Sequence, residues 1–298
     1  MGDRVGFVGL GAMGRPMARH LVEAGFPLVV HSRSPGPVDE LVAAGADRGT
    51  SPADVAARSD VVITMLPDTP DVEVVLFGAA GVAEGAAAGS LVVDMSTIDP
   101  IATRTFAERL ESEGVGMLDA PVSGGTVGAE AGTLSIMVGG PEAALGRARP
   151  LFDAMGSTIV HAGPAGAGQV TKACNQLAIA GALEAVAEAL VLARKAGVDP
   201  ATVREALLGG FASSRVLEVH GERMLTGNFE PGFRSTLMLK DVRIVQHAAE
   251  ALGVPTPGLA AVVVELERLV DGGDGELDYA ALVKVRERDA GVRVSDVA

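Results

Sequence analysis

Lys172, Asn175 and Gln176 are spaced three and four residues apart, which puts a cation and two carboxamides on one face of a helix. A lysine in that setting can exchange a proton with an oxygen of a small molecule. Each carboxamide offers both a donor and an acceptor, enough to orient a hydroxyl or a carbonyl. The same trio also reads as a capping cluster at a solvated helix end, since buried without partners it would be costly. Two further stretches suit anions. Gly9-Leu10-Gly11-Ala12-Met13-Gly14 has G-x-G-x-x-G spacing, and Ser123-Gly124-Gly125 can either turn backbone N–H groups toward an anion or serve as a plain turn. The chain carries 24 Lys+Arg against 38 Asp+Glu, a formal net charge of −14, so any anion site must be locally basic. That makes individual cations such as Lys172 and Arg33 informative.

The elements that would position these groups alternate through the first half. A short apolar strand, Arg4–Val8, leads into the glycines; a helical pattern through Met17, Leu21 and Val22 ends at Gly25; Leu28–Val30 is the next strand. In this strand–turn–helix context Gly9 permits the tight turn, Gly11 lets backbone approach a pyrophosphate at the helix N-terminus, and Gly14 allows close helix–strand packing. The loop from Gly9 through Leu10, Gly11, Ala12 and Met13 to Gly14 is thus the candidate dinucleotide cradle. About 20 residues on, where an acid would bond the ribose of NAD, the chain has Ser32-Arg33-Ser34. Arginine matches phosphate geometry, so NADP(H) is expected over NAD(H), with NAD(H) still possible and a solvated loop arginine as the plainer reading.

Leu66 and Pro67 follow strand Val61–Met65 at its carboxyl end, where open α/β sheets bind ligands. Ser96 and Thr97 follow strand Leu91–Asp94 and suit either helix capping or cofactor contact. Further strands are expected near Ala46–Arg48, Val115–Asp119, Leu134–Val138 and Thr158–His161, with helices at Pro37–Ala44, Pro52–Arg58 and Glu142–Met155. Repeated βα units predict an α/β Rossmann-type domain with a mostly parallel sheet over residues 1–163.

After Gly163 the alternation stops. Residues 166–195 read as one long helix, with Gly197 beyond the basic last turn of Arg194 and Lys195. From Ala173 to Leu183 its polar side chains are Asn175 and Gln176, so it is expected to be buried on nearly every face. Glu184 and Glu188 argue against a membrane span. Helices at 200–208, 213–225, 234–252, 256–271 and 278–287 complete an all-α domain over 164–298, joined through the long helix. Burying such helices in so small a bundle suggests a second subunit, hence a homodimer or homotetramer. One cysteine, Cys174, excludes an internal disulfide and any cysteine-cluster metal site, and no acid or histidine cluster has ligand spacing. The acidic surface disfavours nucleic acid and anionic membranes. The N-terminal apolar run is too short for a signal peptide, and a cytoplasmic protein is expected.

The order of these motifs resembles the β-hydroxyacid dehydrogenase family, which includes 3-hydroxyisobutyrate dehydrogenases, tartronate semialdehyde reductases and glyoxylate/succinic semialdehyde reductases. The likeness spans nearly the whole chain. GFVGLGAMGRPMARHL (Gly6 to Leu21) is similar to the family's cofactor signature, and DMSTIDP (Asp94 to Pro100) to its nicotinamide-side segment, implying a cofactor contact at Thr97. DAPVSGG (Asp119 to Gly125) resembles the substrate-anchoring segment, implying that Ser123, Gly124 and Gly125 hold a carboxylate. GAGQVTKACNQ (Gly166 to Gln176) resembles the catalytic segment, implying Lys172 as the catalytic residue. Phe233 and Lys240-Asp241 resemble a late motif in which the lysine reaches the cofactor while the phenylalanine and aspartate line or brace the substrate site.

Many members have Asn where this chain has Gln176. The pair Asn175-Gln176, with Pro231-Gly232-Phe233-Arg234 and Gly209 to Ala212, resembles the tartronate semialdehyde reductase branch. The resemblance implies NADP-dependent reduction of 2-hydroxy-3-oxopropanoate to glycerate, Lys172 acting as general acid/base with Asn175 and Gln176 orienting the substrate. A 3-hydroxyisobutyrate, succinic semialdehyde or glyoxylate substrate is the alternative, with Leu237, Met238 and the Phe211 loop as residues that would set pocket size. A non-catalytic NADPH-binding scaffold is the reading from another class; retention of Lys172 with Ser123, Gly124 and Gly125 argues against it.

Overall fold

The structure is a computed structural model that describes residues 3–296. The chain divides into two compact units, 1–172 and 173–298. The division falls inside the long helix, past the Gly163–Pro164 turn.

The first unit is built on a nine-stranded sheet. Its strands are β1 (Val5–Val8), β2 (Leu28–His31), β3 (Asp47–Arg48), β4 (Val61–Thr64), β5 (Leu91–Asp94), β6 (Gly116–Asp119), β7 (Val122–Ser123), β8 (Leu134–Gly139) and β9 (Gly156–Gly163). The spatial order is β3-β2-β1-β4-β5-β6-β8-β7, with β9 also paired to β8. Pairing is parallel from β3 through β6 and between β8 and β9; β8 runs antiparallel to β6 and β7. β1, β4 and β5 have every residue buried, as central parallel strands covered on both faces must, and are apolar up to Thr64 and Asp94, which close β4 and β5.

The helices of this unit are α1 (Gly14–Glu23), α2 (Pro35–Ala43), α3 (Pro52–Ala57), α4 (Thr69–Phe77), α5 (Val82–Gly85), α6 (Pro100–Ser112), α7 (Gly125–Ala131) and α8 (Glu142–Met155). Alternate strand residues sort the core into two layers. Phe7, Ile63 and Val93 pack with Met17, Leu21, Leu41 and Phe152, whereas Val8, Val62 and Val92 pack with Val55, Leu76, Phe106 and Leu110. The mostly parallel Rossmann-type arrangement expected from the alternation is therefore present. Sequence reading did not separate out α4, α5, α7 or β7, and it began α2 at Pro37 where the helix begins at Pro35.

Helix α9 (Ala167–Lys195) crosses the division, and the second unit adds α10 (Pro200–Leu208), α11 (Arg215–Thr226), α12 (Ser235–Ala251), α13 (Pro257–Leu269) and α14 (Val283–Ala290), the last preceded by a 3₁₀ turn at Tyr279–Leu282. Asp199 and Ser214 cap α10 and α11 by accepting backbone N–H groups. No strand occurs among the described residues of this unit; Arg234 and Asp278 share a single isolated bridge. Leu183, Leu190, Met238, Val242, Leu266 and Leu282 belong to its core.

By length and composition α9 could cross a membrane, yet half of its apolar window is buried within the chain. Burial on nearly every face is not what the single chain shows. Cys174, Ala178, Gly181, Ala185, Glu188 and Leu192 form an exposed stripe at three- and four-residue spacing. Small side chains leave little area for intrachain partners to cover, so an alanine-rich helix can be apolar all round without being enclosed all round.

On the inner side of α9, buried Glu184 is held by Arg286, whose Nε lies 2.6 Å from Glu184 Oε1. Arg286 also lies 3.4 Å from Glu265 and 3.7 Å from Glu188. Burial pushes the Glu184 carboxyl above its ordinary range even with the guanidinium beside it. Replacing Arg286 with Met should therefore strand buried charge and cost about 3 kcal/mol. The loss should shrink from pH 7 toward pH 5, because a carboxylate with a raised folded-state pKa takes up its proton in the folded state first. Thermal unfolding of Arg286→Met across that range checks this. A pH-independent change below about 0.5 kcal/mol, the size of an ordinary surface substitution, would show the pair to be dispensable.

Candidate functional site

In the first unit the predicted cofactor residues gather at the carboxyl ends of β1, β2, β4 and β5. Gly9 has φ +101°, and a Cβ on it would lie 2.3 Å from the Met65 carbonyl oxygen. A Cβ on Gly14 would lie 2.0 Å from the Gly9 oxygen, whereas one on Gly11 would meet nothing within 4 Å. The outer glycines thus close the turn and Gly11 leaves its backbone open to a ligand, the division of labour a dinucleotide loop requires. Leu10 is buried in the core, Met13 packs partly against it, and Ala12 is exposed.

Ser32 is half-buried and Arg33 and Ser34 are exposed where β2 ends. The Arg33 side chain is 86% exposed, with its guanidinium 3.8 Å from Asp71 at the start of α4. An exposed arginine with one distant, solvent-screened partner can turn to a phosphate at little cost. The residues present therefore fit a dinucleotide.

Behind this edge lies a buried polar network. Asp94 Oδ1 accepts from Thr64 Oγ1 at 2.8 Å, Ser96 Oγ at 2.6 Å and Ser96 N at 3.2 Å. Ser96 Oγ in turn accepts from Leu66 N at 2.9 Å. The Ser96 hydroxyl is thus committed to the protein, and it fixes the Leu66–Pro67 loop. Complete burial pushes the Asp94 carboxyl up to about 6, against the pull of the Ser96 and Thr64 hydrogen bonds. The helix after Thr97 is capped by neither Ser96 nor Thr97. Asp99 caps α6, accepting from Ile101 N and Ala102 N. Its carboxylate reaches two N–H groups from directly before the helix. Ser96 lies too far upstream and is already bonded, and Thr97 is half-buried at the edge.

Asp119 ends β6, in register with Asp94 on β5. Its carboxylate accepts from Gly166 N, just before α9, at 2.8 Å and from Gln169 N, in the helix's first turn, at 2.9 Å. Burial raises its pKa while those N–H groups oppose the rise. Ser123 pairs antiparallel with Ser135, and Gly124 and Gly125 follow at φ +133° and +62°. Both backbone angles favour glycine, and a Cβ on Gly125 would meet nothing within 4 Å, leaving that backbone accessible. Lys172, one turn into α9, is buried, with 7% of its surface exposed.

In the second unit Asn175 Nδ2 donates to Gln176 Oε1 at 2.8 Å, and Gln176 Nε2 donates to Asp241 Oδ2 at 2.7 Å. Met238 Sδ lies 3.7 Å from the same Gln176 nitrogen, and Lys240 Nζ lies 2.9 Å from Asp241 Oδ1. Asn175, Gln176, Lys240 and Asp241 therefore form one connected group across α9 and α12. Leu237 is half-buried beside them, while Phe211 projects fully into solvent.

Phe233 stands next to a brace of its own. Asp278 Oδ2 accepts from Gly232 N and Phe233 N, both at 3.1 Å, and Tyr279 meets the Phe233 ring edge-on at 5.8 Å between centroids. Tyr279 Oη lies 2.6 Å from His220 Nε2, and Arg223 lies 3.3 Å from Asp278. Burial pushes the Asp278 carboxyl up, but His220 beside it, the backbone N–H groups of Ala280 and Phe233, and the Arg223 charge together hold it below its ordinary range.

Sequence reasoning missed Asp94, Asp119, Gln169 and Asp278. A signal for the first two was present: an acid closing an otherwise apolar strand must find partners where the strand ends. Gln169 gave no comparable signal, because its side-chain partners are backbone groups distant in sequence. Asp278 caps the Tyr279–Leu282 turn through Ala280 N, a local signal, but its bonds to Gly232 N and Phe233 N are not visible in the sequence.

Residues 4–163 match the family described as the NAD binding domain of 6-phosphogluconate dehydrogenase, and residues 166–286 match the one described as NAD-binding of NADP-dependent 3-hydroxyisobutyrate dehydrogenase. The chain is similar to 2-hydroxy-3-oxopropionate reductase of Escherichia coli K12, with 47% identity over 95% of this chain and 97% of that one. It is 40% identical to an NAD-dependent L-serine dehydrogenase of Pseudomonas aeruginosa, over 95% and 97% of the two chains. Its structure is similar to that of 3-hydroxyisobutyrate dehydrogenase of Mycobacterium tuberculosis solved with L-serine: TM-score 0.89, 34% identity, 96% of this chain and 99% of that one covered. With two family matches in tandem and near-full-length likeness to named dehydrogenases and reductases, the chain belongs to the 3-hydroxyisobutyrate dehydrogenase-like β-hydroxyacid dehydrogenases, enzymes that use a nicotinamide cofactor.

Proposed function

We propose that this enzyme reduces 2-hydroxy-3-oxopropanoate to glycerate with NADPH, Lys172 supplying the proton. The observation that carries the reaction type is the buried lysine one turn into α9, in the unit that also bears the dinucleotide loop. The choice of substrate is supported by the 47% identity to a 2-hydroxy-3-oxopropionate reductase. The preference for NADPH is supported by Arg33, exposed and without a strong partner where β2 ends. Names among the relatives point to both cofactors, so Arg33 is the argument that favours one.

When bound, the reduced nicotinamide supplies the hydride. Ser123 and the Gly124–Gly125 backbone bind the substrate carboxylate and so fix where its carbonyl lies. Lys172 donates a proton from Nζ to the carbonyl oxygen as negative charge develops there, and takes one back in the reverse direction. Asn175 and Gln176 orient the substrate through their amides, Gln176 itself being steadied by Asp241. Thr97, the Leu66–Pro67 loop and Lys240 contact the cofactor.

A panel of 2-hydroxy-3-oxopropanoate, succinic semialdehyde, glyoxylate and 3-hydroxyisobutyrate with each cofactor, read by nicotinamide absorbance, tests this. The highest kcat/KM should fall on 2-hydroxy-3-oxopropanoate with NADPH, and a maximum on another acid would displace the substrate assignment. Lys172→Ala should lower kcat by roughly 10²–10⁴-fold with NADPH binding retained; turnover near that of the parent enzyme would remove Lys172 from the chemistry. Arg33→Ala should cost NADPH about 10- to 100-fold in kcat/KM, as loss of charged hydrogen bonds does, and leave NADH nearly unchanged. An unaltered NADPH/NADH ratio in that variant would contradict the role given to Arg33.

A further inference from the structure

Gln169 is 1% exposed, and both ends of its amide are spent on the segment that follows β5. Its Oε1 accepts from Ile98 N at 3.1 Å, and its Nε2 donates to Ser96 O at 2.7 Å. These backbone groups flank Thr97. The Gln169 main-chain N–H meanwhile goes to Asp119, as does that of Gly166. Packing here is close enough to require glycine. A Cβ on Gly168 would lie 2.4 Å from the Met137 oxygen, and one on Gly139 would lie 2.5 Å from Asp119 Oδ1. The start of α9 is therefore packed directly on the backbone of β6 and β8, and shifting it breaks four hydrogen bonds. Lys172 lies three residues beyond Gln169 on the same helical face.

We infer that Gln169 is a positioning residue that locks the start of α9 to the Ser96–Ile98 segment and thereby sets the lysine's approach to the reacting carbonyl. The inference rests on the reading that Lys172 is the proton donor. A glutamine suits the task because it needs one acceptor and one donor at fixed places, and an amide supplies both without charge. Misplacement of a reacting group by about 1 Å can cost on the order of 10²-fold, so the lock should appear in kcat rather than in binding.

Gln169→Glu provides a test that a merely structural side chain would not pass. A protonated carboxyl reproduces both hydrogen bonds; an ionised one turns an acceptor on the Ser96 carbonyl. The charged groups on the surrounding elements are Asp94, Asp119, Asp99, Arg104 and, on the same helix, Lys172. Burial and the Asp94 and Asp119 carboxyls favour the protonated form. The kcat of Gln169→Glu relative to the parent enzyme, measured from pH 5 to pH 9, should start near one and fall at least tenfold as pH rises.

Gln169→Met fills similar space without either hydrogen bond. It should lose about 10- to 100-fold in kcat at every pH, with substrate KM and NADPH dissociation constant within about threefold. Amide exchange in the segment containing Ile98 should quicken in Gln169→Met, and in Gln169→Glu at high pH. Flat kcat ratios near one together with unchanged exchange would overturn the lock. Quickened exchange with parent-like kcat would keep the hydrogen bonds and overturn their role in positioning Lys172. If the parent enzyme turned over no member of the substrate panel, the proposed function would fail, while exchange at Ile98 would still decide whether the lock exists.

Discussion

The carboxylate of Asp119 is the interaction that fixes the start of α9 to the sheet of the first unit. It ends a buried strand and receives two N–H groups from the start of α9, that of Gly166 just before the helix and that of Gln169 in its first turn. Those N–H groups have no partners within their own helix, so a carboxylate there meets a need that the helix has in any case. Burying the acid opposes ionisation, and the N–H groups offset that cost. The result ties a sheet edge built to hold a dinucleotide to the helix that carries the lysine.

The neighbouring acid, Asp94, follows the same logic with different partners. It draws in Thr64 and Ser96, and Ser96 holds the backbone of Leu66. Two adjacent parallel strands thus end in buried carboxyls, each organising one loop at the ligand edge. The second unit repeats the device: Asp278 organises the backbone before α12, and Asp241 steadies Gln176. In a chain with a net charge of −14, these acids are spent on internal hydrogen bonds, while the exposed Arg33 remains accessible to an anion.

Much of this was legible in the sequence. The glycine spacing between β1 and α1 identified the cradle because Gly9 and Gly14 have no room for a Cβ and Gly11 leaves its backbone open to a ligand. The helices of the second unit came through because Asp199-Pro200 and Pro255-Thr256-Pro257 mark starts and Gly253 and Gly272-Gly273 mark stops. Helices α4, α5 and α7 did not; short helices owe much of their stability to tertiary packing, which a sequence does not display. The antiparallel turn at β7 and β8 was hidden by a two-residue strand. Ser96 and Thr97 suit either a helix cap or a cofactor contact by type, but α6 is capped by Asp99, and the Ser96 hydroxyl is taken by Asp94 two residues before it and by Leu66 N, which only the sheet register brings near. The exposed stripe on α9 shows the limit of inferring enclosure from apolar composition when the side chains are alanine and glycine.

The central claim is that the ammonium at position 172 is the proton source for carbonyl reduction. Its most direct test is the turnover of Lys172→Ala as a function of added methylamine or ethylamine, small enough to enter the space the side chain leaves. Turnover should be low without amine and rise with its concentration, the amine acting as the missing acid. A rate indifferent to amine would contradict the claim.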